Sequence, residues 1–158
     1  RMCEAGVRYL QVNYGDNSAN PAWDQHSNLP VHAQHARRVD KPIAGLLADL
    51  RQRGLLEDTL VWWGGEFGRT PRFNSNGGRD HWPNCFTSVL AGGGIRGGVV
   101  YGTSDRQAAY PASNAVQPVD LAATVYHQLG VPAELTLPDA QGRPLVVCPG
   151  ERIVDLVQ

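Results

Sequence analysis

The stretch that decides the reading of the fold is DTLVWWGG, residues 58–65. Leu60, Val61, Trp62 and Trp63 are apolar in succession rather than in alternation, the pattern of a strand covered on both faces, as in a parallel sheet. Upstream of it, between residues 35 and 53, Val39, Ile43, Leu46, Leu47 and Leu50 fall on one face at 3.6 residues per turn. They predict a helix that Gly54 caps and that Pro42 kinks or restarts, because proline has no N–H and crowds the preceding turn.

Outward from there the alternation continues. GVRYLQV (residues 6–12) reads as a strand, and NYGDNSANP (residues 13–21) as the loop that follows it. FTSVLAGG (residues 86–93) is a second short apolar run. PVDLAATVYHQLGV (residues 118–131) opens with proline at a favourable first helical position, aligns Leu121, Val125 and Leu129, and stops at Gly130. Strand, helix, strand, strand, helix is an α/β order, so the expectation is a mostly parallel sheet flanked by helices in a single domain, residues 1–158.

Composition narrows the function classes. With 158 residues and 42% hydrophobic content the chain has apolar mass for one core. Its 14 basic and 15 acidic residues are spread without a basic stripe, which argues against nucleic acid as a partner. No apolar run approaches the ~20 residues of a membrane helix. Cys3, Cys85 and Cys148 are odd in number and far apart, encode neither a zinc knuckle nor a disulfide framework, and read as small buried hydrophobes. AGGGIRGG (residues 91–98) lacks the Lys-Ser/Thr pair of a phosphate loop and reads as a turn where backbones approach closely.

Chemistry concentrates in GGEFGRTPRFNSNGGRDHWP, residues 64–83, where a glutamate, three arginines, an aspartate and a histidine stand among seven glycines and prolines. In open α/β sheets ligands bind at the carboxyl ends of strands, and this loop leaves such an end. WDQHSN (residues 23–28), in the loop after the first strand, is expected on the same rim. The proposed cluster is Asp24, His26, Glu66, Arg69, Asp80 and His81. Imidazoles with carboxylates form the ligand set of a divalent metal: zinc, or, where oxygens dominate, calcium, magnesium or manganese. The alternative is a hydrogen-bonded structural loop in which Glu66 pairs with Arg69, and Asp80 with Arg79 or Arg72. His32 and His35, beside Arg37 and Arg38, read as a solvated helix face, and His127 as packing or surface.

WDQHSN, then VDKPIAGLLADLRQRGLLEDTLVWWGGEFGRTP (residues 39–71), GRDHWP (residues 78–83), LAGGGIRGGVVYGTSD (residues 90–105) and PVDLAATVYHQLGV together resemble the bacterial family called domain of unknown function 1501, a sulfatase-like group of the alkaline phosphatase superfamily. The resemblance runs from about Glu4 onward and covers the C-terminal part of that family's longer members. It implies an alkaline-phosphatase/sulfatase-like sandwich that hydrolyses phosphate or sulfate esters. Asp24, His26 and His81 match, in order, the superfamily's first metal site, while Glu66 and Phe67 stand where a second site has an Asp-His pair. Arg69 is the implied grip on the anionic ester, and Asp80 the residue that orients His81 or joins the ligands. The nucleophile is expected from an N-terminal half of the parent protein, a role for which Thr70, Ser27 and Cys85 are poor substitutes. A phosphate or sulfate ester of a small molecule or glycan is the implied substrate, and a periplasmic or secreted location follows from the family alone. The competing expectation is a non-catalytic binding or scaffold module.

Overall fold

The computed structural model describes residues 1–15 and 21–158; the middle of the loop expected at residues 13–21 lies outside the described residues. Two helices dominate. A 3-10 turn at Leu29–Val31 leads into α1, His32–Gln52, and α2 spans Pro118–Gln128. Between and after them, among the described residues, lie eight short strands: β1 (Val61–Gly64), β2 (Gly68–Arg69), β3 (His81–Trp82), β4 (Ser88–Ala91), β5 (Thr103–Ser104), β6 (Pro111–Ser113), β7 (Thr136–Pro138) and β8 (Pro144–Val146).

These strands form four separate two-stranded antiparallel sheets, β1–β4, β2–β3, β5–β6 and β7–β8. The expected parallel α/β sandwich is therefore overturned, since no extended parallel sheet joins the described strands. β1 pairs with β4 in the register Val61 to Ala91 through Gly64 to Ser88. Trp62 and Trp63 are each 53% exposed, so the unbroken apolar run meets solvent on both faces instead of two covering layers. Residues 6–12, expected as a strand, join no sheet, and Val7, Tyr9, Leu10 and Val12 are exposed.

The helices come closer to expectation. α1 starts three residues earlier than its periodicity suggested and runs as one helix through Pro42. Arg53 caps it, and Gly54 follows at φ +69°. Of its apolar stripe only Leu50 is buried, and Leu46 is half exposed. α2 begins at Pro118 behind a capping box: Gln117 takes the N–H of the third helical residue, Asp120, whose carboxylate accepts the Gln117 N–H. The second oxygen of Asp120 accepts the Glu151 N–H, which fastens the C-terminal segment to the helix. Thr124, fully buried, continues that seam by donating to the Asp120 carbonyl at 2.7 Å and accepting the Ile153 N–H at 2.9 Å. A 3-10 turn at Val154–Leu156 and a bridge between Ile95 and Val157 close the C-terminus on the glycine-rich turn of residues 92–94.

Among the described residues the buried apolar set is small: Ala22, Leu50, Ile95, Ile153 and Val157. The chain exposes 11667 Å², where a compact monomer of its 17.2 kDa would expose roughly 7,800 Å². The cysteines are half-exposed and unpaired rather than buried. No helix among the described residues is long and apolar enough to cross a membrane.

The Thr124 seam yields a direct test. Thr124→Val keeps the shape but leaves the Ile153 N–H without a partner inside the structure, and is expected to cost about 1–3 kcal/mol. Thr124→Ser should retain most of the stability; the two are compared by their urea midpoints.

Candidate metal centre

Three pieces of chain make the site: the loop of residues 24–26, strand β2 with the glutamate before it, and strand β3 with the aspartate before it. β2 and β3 lie antiparallel with Arg69 opposite His81, so the glycine- and proline-rich stretch is a short hairpin with a long connection, residues 70–80. Its ends are drawn together by the Thr70 N–H donating to the Asp80 carbonyl and by Thr70 Oγ1 accepting the Asp80 N–H. The Arg79 N–H donates to the Gln25 carbonyl, which fastens the hairpin to the first loop. Gly78 is needed there because a Cβ at this position would lie 2.1 Å from the carbonyl carbon of His26.

The result is a triangle of donor atoms. His26 Nε2 lies 3.0 Å from Asp24 Oδ1, His81 Nε2 lies 3.0 Å from the same oxygen, and the two imidazole nitrogens are 3.2 Å apart. Neighbouring ligands of a tetrahedral ion bound at ~2.0–2.1 Å stand ~3.3 Å apart, so these three atoms come near one face of such a polyhedron with a fourth position open. Two nitrogens and one oxygen suit zinc better than the oxygen-rich preferences of calcium or magnesium.

The outer partners are as specific. His26 Nδ1 lies 2.9 Å from Asp80 Oδ1. An ionised carboxylate only accepts, so Nδ1 carries the proton and, in the neutral ring, Nε2 presents its lone pair to the triangle. Asp80 thus orients His26 rather than His81, against the sequence-based expectation, because the connection folds back over residue 26 before β3 begins. Phe67 packs its ring 4.6 Å from that of His81 and under the Arg69 guanidinium.

Arg69 donates from Nη1 to Asp24 Oδ1 and from Nη2 to Glu66 Oε1 at 3.0 Å. Glu66 is thereby held by Arg69 and stands outside the Asp24, His26 and His81 set. Burial pushes the Asp24 carboxyl up, but the hydrogen bonds of His81 and Arg69 outweigh it and hold the group at about 2. The hydrogen bond to Asp80 raises His26 above the ordinary imidazole value, and the same bond, with a contribution from Asn74, lowers Asp80.

Two features escaped the sequence reading. Asn74 donates to the His26 carbonyl and to Asp80 Oδ1, although nothing in its neighbourhood marks it out. His32 and His35 are not a solvated face: His35 is buried and bonded to Tyr14, His32 meets the Trp23 carbonyl, and the indole of Trp23 packs against both rings. The Tyr14 and Trp23 aromatics just ahead of Asp24 were the available signal. His127 is exposed on α2 and faces Arg152.

A carboxylate and two imidazoles, one of them braced by Asp80, define a candidate mononuclear metal centre. Residues 1–157 match the family described as "Protein of unknown function (DUF1501)", and the chain belongs to that family. No curated protein and no solved structure is detectably similar to it.

If the close packing of Gly78 on His26 sets the triangle, Gly78→Ala must separate the hairpin from the first loop. It is expected to cost about 1–3 kcal/mol by overpacking and to abolish the nuclear Overhauser contacts between the His26 and His81 rings. Retention of those contacts would show that the loop yields elsewhere.

Proposed function

We propose that this chain carries the metal centre of a divalent-metal-dependent hydrolase of phosphate or sulfate esters. The observation that carries the proposal is the triangle of His26 Nε2, His81 Nε2 and Asp24 Oδ1, with edges of 3.0–3.2 Å. Asp24, His26 and His81 would hold a divalent ion there, which would supply Lewis acidity toward an ester oxygen and a water. Asp80 keeps His26 in its ligating tautomer. Arg69 presents a planar fork suited to the oxygens of a phosphoryl or sulfuryl group, and Glu66 tethers that fork beside the triangle. Both imidazoles are committed to the triangle, which leaves neither to activate a hydroxyl. Thr70 Oγ1 already donates to the Arg72 carbonyl. The nucleophile is accordingly assigned, within this proposal, to an N-terminal half of the parent protein, and an exported setting, periplasmic or secreted, belongs to the same reading. Small-molecule or glycan esters are the substrate class.

A second reading has its own observation. Phe67 covers one side of His81, and where a second metal site would need an imidazole an aromatic ring stands instead. A single ion in such a place would brace the loops of a non-catalytic binding module.

Both readings require the ion, and only the first requires turnover. The chain is expected to bind one zinc ion per molecule, His81→Ala to lose it, and His127→Ala, on a remote exposed face, to retain it, as measured by metal content after equal dialysis. Aryl phosphate and aryl sulfate hydrolysis by the parent protein, abolished by the same His81→Ala change, would support the hydrolase; full metal content with no turnover would favour the binding module.

A further inference from the structure

We infer that Asn74 is the positioning residue of this centre, a role that rests on the metal reading above. One side chain makes four hydrogen bonds that tie the first loop and the aspartate before β3 to the turn of residues 74–78. Its Nδ2 donates to the His26 carbonyl at 2.9 Å and to Asp80 Oδ1 at 3.0 Å. Its Oδ1 accepts the N–H groups of Asn76 and Gly78, each at 3.0 Å. The backbone closes the same turn, with the Asn74 N–H on the Gly78 carbonyl at 2.9 Å and the Gly77 N–H on the Asn74 carbonyl at 3.2 Å. The two halves of the amide therefore do different work. The oxygen shapes the turn of residues 74–78 that sets Gly78 against His26. The nitrogen locks the backbone of His26 and the carboxylate of Asp80 into one frame, and Asp80 Oδ1 is the atom that receives His26 Nδ1. Asn74 reaches the metal position only through these two residues, so it sets the aim of His26 Nε2 without being a ligand. Asparagine alone supplies both functions: aspartate keeps the acceptors and loses the donor, and alanine loses both.

Zinc titration of the 158-residue chain, wild type against Asn74→Ala and Asn74→Asp, tests this, with the nitrogen-15 shifts of the His26 ring recorded without metal. Both variants are expected to bind zinc about 10–100-fold more weakly, the range for losing an outer partner of a ligand, and to shift the His26 ring away from the Nδ1–H tautomer. Zinc affinity within twofold of wild type for Asn74→Asp, with the tautomer unchanged, would reduce Asn74 to a turn former and overturn the inference. Should Asn74→Ala fail to fold, Asn74→Asp, which keeps the turn acceptors, decides alone. If the wild type binds no zinc the metal reading fails, while the His26 tautomer still reports whether Asn74 positions the ring.

Discussion

One oxygen atom organises this molecule's chemistry. Asp24 Oδ1 is approached by His26 Nε2 from its own loop, and by His81 Nε2 and an Arg69 nitrogen from the two strands of a hairpin distant in sequence. Three electron-rich atoms at about 3 Å repel one another unless positive charge, a proton or a metal, lies among them. Burial pushes the Asp24 carboxyl up, and its depressed value, set by the hydrogen bonds of His81 and Arg69, expresses that demand. Gly78 flush on the His26 backbone, the Arg79 N–H on the Gln25 carbonyl and the pairing of the two-residue strands β2 and β3 are what let the segments approach so closely. A stretch with no helix or long strand of its own is held by side chains instead.

The reach of the sequence differed between fold and site. Helix α2 was legible in its bounds because Pro118 and Gly130 act locally, through φ preferences that need no partner. The sheet was not. An unbroken apolar run reports that a strand is suited to covering layers on both faces, and it is silent on which elements supply them. Here β1 has only β4 beside it, both tryptophans stand half in solvent, and residues 6–12 lie extended without a ladder. The surface, about half as large again as that of a compact monomer of this mass, is the same fact in area: much of the apolar patterning has no counterpart within these residues.

For the site, residue type carried the information and geometry refined it. Residue type nominated Asp24, His26, Glu66, Arg69, Asp80 and His81 as one cluster, and the family resemblance singled out the Asp24-x-His26 pair and the late His81 as a metal set. The roles of Glu66 and Asp80 could not be assigned that way, since a carboxylate beside an arginine and one beside a histidine look alike in sequence. Only the direction of the chain decides. The connection folds Asp80 over His26, and Arg69, facing His81 across the hairpin, reaches both Asp24 and Glu66. Asn74 was illegible because two of its four bonds go to backbone N–H groups and one to a backbone carbonyl, groups that the main chain offers almost everywhere.

Charge balance connects these details to chemistry. With neutral imidazoles, Asp24, Glu66 and Asp80 set three negative charges against the single positive charge of Arg69, leaving two in excess. That excess suits a divalent cation, and a cation matching it would leave little net field to attract an anion. Under the ester-hydrolase reading, affinity for substrate must then come from directed hydrogen bonds, and the Arg69 fork is the group placed to make them. Arg69 is bound to Asp24 through one nitrogen and to Glu66 through the other. A cation arriving on Asp24 competes for the first contact and not for the second. With such a cation bound, Glu66 would keep the guanidinium beside the centre, a task for an exposed carboxylate that stands outside the donor triangle.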